Sequence, residues 1–164
     1  EYGVWFALTS IGYMIGNGLA GRYSERLGVD RMISLGTLAA FIGSIAGLLL
    51  ALLGLLSPAA IFVPMLLVAL GNGLSIPNGI AGAVSINPMV AGAAAGLAGF
   101  LQMGLGASTS QFVGILQTWL PLAMFYMMTA TTFCAISLHA LAQTWGDKQD
   151  PDAGAARPRE ETVA

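Results

Sequence analysis

The sequence predicts an all-α, polytopic membrane protein with five transmembrane helices. Three observations carry that expectation. From Met32 to Gly146 there is no Asp, Glu, Lys or Arg. The whole chain is 56 % hydrophobic and only 9 % charged, where water-soluble domains carry roughly a quarter charged residues. Apolar stretches also recur at the length of about 20 residues that a helix needs to cross a hydrocarbon core roughly 30 Å thick. A charge-free run of this kind is stable only with lipid as its solvent.

The spans follow in order from apolar length and breaks. The first covers about 2–20 and gives way to Gly21-Arg22-Tyr23-Ser24-Glu25-Arg26-Leu27-Gly28-Val29-Asp30-Arg31, a short wet loop. The second runs over about 32–56 and stops at Ser57-Pro58. The third, 59–84, is interrupted at Pro77 and followed by the uncharged turn Ser85-Ile86-Asn87-Pro88. The fourth and fifth spans cover about 90–117 and 119–142. Trp119 and Trp145 sit about 39 Å apart along an ideal helix, which suits two interfacial aromatic belts. Residues 1–145 thus form the membrane domain, and 146–164, rich in Asp, Pro, Ala, Gly, Arg and Glu, read as a disordered tail.

Orientation follows from the basic residues. Arg22, Arg26 and Arg31 lie between spans one and two, and Lys148, Arg157 and Arg159 lie in the tail. Short segments rich in Lys and Arg stay cytoplasmic. Four further crossings return the chain to the side of the first loop, so both clusters share that side and Glu1 is left outside. The first residue is Glu1, with no basic segment ahead of the first apolar stretch. This does not resemble a cleaved signal peptide, and the expectation is a C-terminal piece of a longer chain.

Small and polar residues suggest how the spans associate. Gly12/Gly16, Gly43/Gly47 and Gly92/Gly96 have GxxxG spacing, and Gly71, Gly73, Gly79 and Gly82 crowd the third span. In lipid, such faces mark close approach of backbones. Residues 48–56 are nearly all leucine, and the fifth span is rich in Met, Phe and Leu. The pattern predicts an inner group of spans one, three and four, with two and five outside. Pro77 removes the hydrogen bond to the Gly73 carbonyl; this is either a packing kink or the kind of broken helix from which transporters build midplane sites. Asn72 and Gln102 fall near the middle of their spans, and Asn17 and Asn78 lie on the same inner helices. These four are candidates for lining a substrate cavity, with interhelical hydrogen bonding as the alternative.

Other chemistries find little support. No carboxylate lies within a span, so no intramembrane proton carrier of the usual kind is present. His139 reads as an interfacial side chain near the end of the fifth span. Cys134 is the single cysteine, which excludes an intrachain disulfide. No metal-ligand cluster, phosphate loop or catalytic constellation stands out, so neither an enzyme nor a bound cofactor is expected. The net charge of −2 argues against a nucleic-acid partner.

Gly21-x-x-x-Glu25-Arg26-x-Gly28-x-x-Arg31 resembles the cytoplasmic loop motif of the major facilitator superfamily, with Glu25 where Asp is usual and Asp30 where a basic residue is usual. The glycines would allow a tight turn and the acid could face a helix N-terminus. A second stretch joins Gly71-Asn-Gly73-Leu-Ser-Ile-Pro77-Asn78 to Pro88-Met-Val-Ala91-Gly92-Ala-Ala-Ala95-Gly96-Leu-Ala-Gly99-Phe-Leu-Gln102. It is similar to helices 10 and 11 of the Bcr/CflA-type drug efflux transporters, with Val90 where that branch often has a basic residue. The resemblance spans residues 1 to 145 as helices 8–12. It implies the C-terminal bundle of a proton-coupled multidrug efflux carrier in the cell (inner) membrane, moving small amphipathic molecules by alternating access. Its partners would be a small-molecule substrate, the lipid bilayer and protons, with the coupling site in the missing N-terminal half. A facilitator of a sugar, amino acid or metabolite, and a standalone membrane scaffold, remain alternatives.

Overall fold

The computed structural model describes residues 2–55, 57–85 and 88–149. Glu1 and the tail beyond Gln149 lie outside the described residues. Among the described residues five helices follow one another: α1 (Tyr2–Leu27), α2 (Val29–Leu52), α3 (Pro58–Ser85), α4 (Ala91–Leu116) and α5 (Ala123–Gln149), with a 3-10 turn, Pro88–Val90, leading into α4. Stretches of three of them, Val29–Leu52, Pro58–Ser85 and Ala123–Trp145, are long and apolar enough to cross a bilayer, with mean hydropathies of 2.2, 2.0 and 1.3. α1 and α4, of 26 residues each, have the length. Their glycines and polar side chains leave them less apolar than that class. Among the described residues the fold is therefore all-α, and its three membrane-spanning candidates fit a multi-pass membrane protein.

The helix boundaries depart from the sequence-based ones where chain reversals are made. The expected wet loop is almost entirely helical: α1 runs through Gly21, Glu25 and Arg26 to Leu27, and α2 starts at Val29. Gly28 alone breaks the path, at φ 85°, a left-handed conformation that glycine adopts without a Cβ clash. Gly54, at φ 75°, does the same after α2. Before α5, residues 117–122 form turns around Pro121, so the helix begins beyond Trp119. It then continues through 146–149, which the sequence assigns to the disordered tail.

Constant offsets between contacting residues reveal the helix directions. On α1, Gly12 faces Leu66 and Gly16 faces Leu70, while Ser24 bonds Asn78, 54 positions further along. Partners that advance together define α1 and α3 as parallel. Gly36 of α2 meets Gly71, and Gly43 meets Pro64, so α2 runs antiparallel to α3. α5 is antiparallel to α2 in turn: Ser34 meets His139, Phe41 meets Phe133, Ser44 meets Thr132, and Gly47 meets Phe125. α3 is therefore gripped between α1 and α2, and α5 packs along an adjoining flank of α2, where Gly47 meets both Phe125 and Pro64.

This order differs from the expected inner and outer groups at α2. α2 buries a stripe of Met32, Gly36, Ala40, Gly43, Ser44, Gly47 and Ala51; it is a central helix. The stripe follows the helical repeat of one face, which the leucine-rich end of the same helix obscures. α4, expected to be inner, has no buried residue. A Cβ placed on Gly92 or Gly96 meets nothing within 4 Å, so neither makes the close contact that its spacing predicts among the described residues. Pro64, passed over in the sequence, is buried inside α3 and packs against Gly43 and Gly47.

Candidate functional site

The four candidate amides part company. Asn78 is 3 % exposed. Its Nδ2 donates to the Leu74 carbonyl at 2.7 Å, and its Oδ1 accepts from Ser24 Oγ at 2.6 Å. Both ends of the amide are satisfied at the α1–α3 seam, so Asn78 holds two helices together. Asn17 is half-buried on the same seam, where its backbone nitrogen lies close to Gly73.

Asn72 and Gln102 are both exposed. Gly71 and Gly73 point into α2 and α1 respectively. A helical step of about 100° therefore turns Asn72 away from both of these neighbours. On α4 the half-buried residues other than Gly99 (Ala91, Ala94, Ala98, Thr109, Val113 and Leu116) form one line, and Gln102 falls on that line while staying exposed. Two uncharged amides thus stand open on α3 and on the bundle-facing side of α4. Pro77, half-buried, lies in a continuous α3. Gly73 touches Tyr13 and Gly16 through backbone atoms, so it acts at a packing seam.

The arginine turn forms a separate feature. A concavity of about 370 Å³ is lined by residues 25–31, which include Glu25, Arg26, Gly28, Asp30 and Arg31. Gly21 is exposed and has open space around it. Asp30 sits in the first turn of α2, where a carboxylate complements the positive end of the helix dipole.

A third polar feature was not found in the sequence. Along the α2–α5 seam, Ser44 Oγ lies 2.8 Å from Thr132 Oγ1, and Thr129 Oγ1 donates to the Ser44 carbonyl at 3.3 Å. Ser44 is fully buried, at 0 % exposure. At the end of the seam His139, Ser34, Gln143 and the Asp30 carbonyl meet within 3.3 Å of the His139 Nε2. These contacts place the arginine turn and the end of α5 at the same end of the bundle. The signal was present as spacing: 34, 37, 41, 44 on α2 and 125, 129, 132, 136, 139, 143 on α5 alternate by three and four, the repeat of a coiled-coil seam. Among the described residues no three His, Cys, Asp or Glu side chains converge on a metal position. Comparison with family models, curated proteins and solved structures finds no match to this chain.

Proposed function

We propose that this chain is the C-terminal bundle, helices 8–12, of a major facilitator carrier of the Bcr/CflA drug efflux type, exporting small amphipathic molecules in exchange for protons. The observation that carries the reading is the uncovered amide pair Asn72 and Gln102. Polar side chains left open at mid-helix are costly against lipid and stable against water or protein. Their helices, with the open glycines of α4, then supply one wall of a central cavity. A second bundle supplies the other wall and the proton-carrying acid. In this reading all five helices cross the membrane, with the arginine turn and the end of α5 cytoplasmic.

The motif residues support the same assignment. Gly28 makes the tight reversal that the loop motif needs, with Glu25, Arg26 and Arg31 around it at one bundle end. The test is export of an ethidium-like dye by cells carrying the native gene product, with and without a protonophore. Gln102→Ala should change the substrate profile at unchanged expression. Energy-independent equilibration of a sugar or amino acid would favour the facilitator alternative. No transport of any solute class by the native product would favour the scaffold. Cells expressing residues 1–164 alone should export nothing, because alternating access needs two bundles rocking about a shared site.

A further inference from the structure

The middle of α4 is held differently from its ends. The half-buried residues of the helix fall within 91–99 and 109–116, while every residue from Phe100 to Ser108 is exposed. That open stretch is also the weakest part of the helix by composition. It contains Gly104 and Gly106, and a Cβ placed on either meets nothing within 4 Å. Gly71 and Gly73 of α3 are pinned by the backbones that approach them. Gly104 and Gly106 have no such neighbour among the described residues, and each weakens the helix by about two- to fivefold relative to alanine.

One hydrogen bond singles out this point further. Ser108 Oγ donates to the Gly104 carbonyl at 2.8 Å. In an α-helix the same carbonyl accepts from the Ser108 N–H, so one residue offers it two donors. Back-bonding of this kind competes with the helical ladder and often bends helices. Ser44 and Thr132 also bond back to their own helices, at 2.8 and 2.9 Å, but each is tied to the other across the α2–α5 seam. Ser108 has no tie of that sort among the described residues.

Opening a backbone hydrogen bond in lipid is costly, because no water takes its place. At Gly104 that cost is relieved in advance. When the Ser108 N–H leaves the Gly104 carbonyl, the hydroxyl stays on it, and the N–H reaches the Leu105 carbonyl by one 3-10 step. We propose that α4 is a hinged helix that bends at Gly104–Ser108, with 91–99 and 109–116 as its two arms and the Ser108 hydroxyl as the spare donor that permits the bend. The first arm continues from α3 and the second leads into α5, so the bend changes the angle between the two attachments. The hinge rests on the geometry of α4 and stands whether or not the chain belongs to a carrier.

The test is nitrogen-15 relaxation dispersion on the glycine-labelled full chain in lipid nanodiscs, which reports motion on the microsecond-to-millisecond scale. Gly104 and Gly106 should show exchange at one shared rate, and the pinned Gly71 and Gly73 should show none. Gly106→Ala adds a methyl in open space and should lower the bent population about two- to fivefold, read as weaker exchange at Gly104. Ser108→Ala removes the spare donor and should quench the exchange, while Ser108→Thr, which keeps a hydroxyl, should retain it. Flat profiles at Gly104 and Gly106 overturn the proposal. Exchange that survives unchanged in either alanine variant, or that is lost equally in Ser108→Thr, overturns it as well.

Discussion

α3 and α4 are both rich in glycine, yet the bundle uses them in opposite ways. On α3, a Cβ on Gly71 would come within 2.6 Å of Ala40 N, and one on Gly73 within 2.9 Å of Asn17 N. On α4, Gly92, Gly96, Gly99, Gly104, Gly106 and Gly114 have nothing within 4 Å of the same position. The contrast lies in the partners. Gly71 is matched by Gly36 and Ala40, and Gly73 by Gly16, so small faces meet small faces at compatible heights. α4 has no such counterpart among the described residues. A GxxxG spacing thus permits close approach, and only a matching stripe on another helix brings it about.

Substitutions can break this contrast, beginning with the tightest glycine contact on α3. Gly71→Val should be the most damaging, because the added atoms drive into the Gly36 carbonyl and the Ala40 amide. Overpacking of this kind costs about 3 kcal/mol at the upper end of its usual range, and denaturation in detergent should show a large drop in midpoint. Asn78→Ala removes a buried bond between α1 and α3 and should cost about 1 kcal/mol, read by the same titration. Thr132→Val cuts one bond to Ser44 on the α2–α5 seam, and its loss should be close to 0.6 kcal/mol, roughly the average for such bonds in membranes. Gly96→Ala should cost nothing, since the new methyl enters open space. A clear destabilisation by Gly96→Ala in this chain would show α4 to be packed there. A neutral effect here combined with lost transport in the native product would mean that the partner lies outside residues 1–164.

The parts of the fold governed by charge and by single residues were readable in advance. The empty stretch after Arg31 marks the apolar helices, and Gly28 was named at the reversal it makes. Boundaries slipped where helix propensity and wetness disagreed. Residues 21–27 are charged and polar, which reads as a loop, yet nothing in them breaks a helix before Gly28. Rank order of burial slipped further. Leu48, Leu49 and Leu50 dominate the appearance of α2, whereas its contacts are made by Gly36, Ala40, Gly43 and Gly47 on another face. Of the candidate site, Asn78 turned out to be a tie between helices, while Asn72 and Gln102 kept open surroundings. The His139 cluster escaped because its members are 105 to 109 positions apart, and only the antiparallel register of α2 and α5 unites them.

The seam between α2 and α5 also bears on how the chain is assembled. Each hydroxyl in it has an acceptor on its own helix: Ser34 on Asp30 at 2.9 Å, Ser44 on Phe41 at 2.8 Å, Thr129 on Phe125 at 2.9 Å, and Thr132 on Met128 at 2.9 Å. α2 is synthesised long before α5 exists to cover it. During that interval its serines need no partner, because they fold back on the backbone of the preceding turn. Polar groups that carry their own provision can enter lipid early and be shared later, so insertion and docking become separable events. A ribosome pausing between α4 and α5 would leave no unmet hydrogen bond behind on those serines.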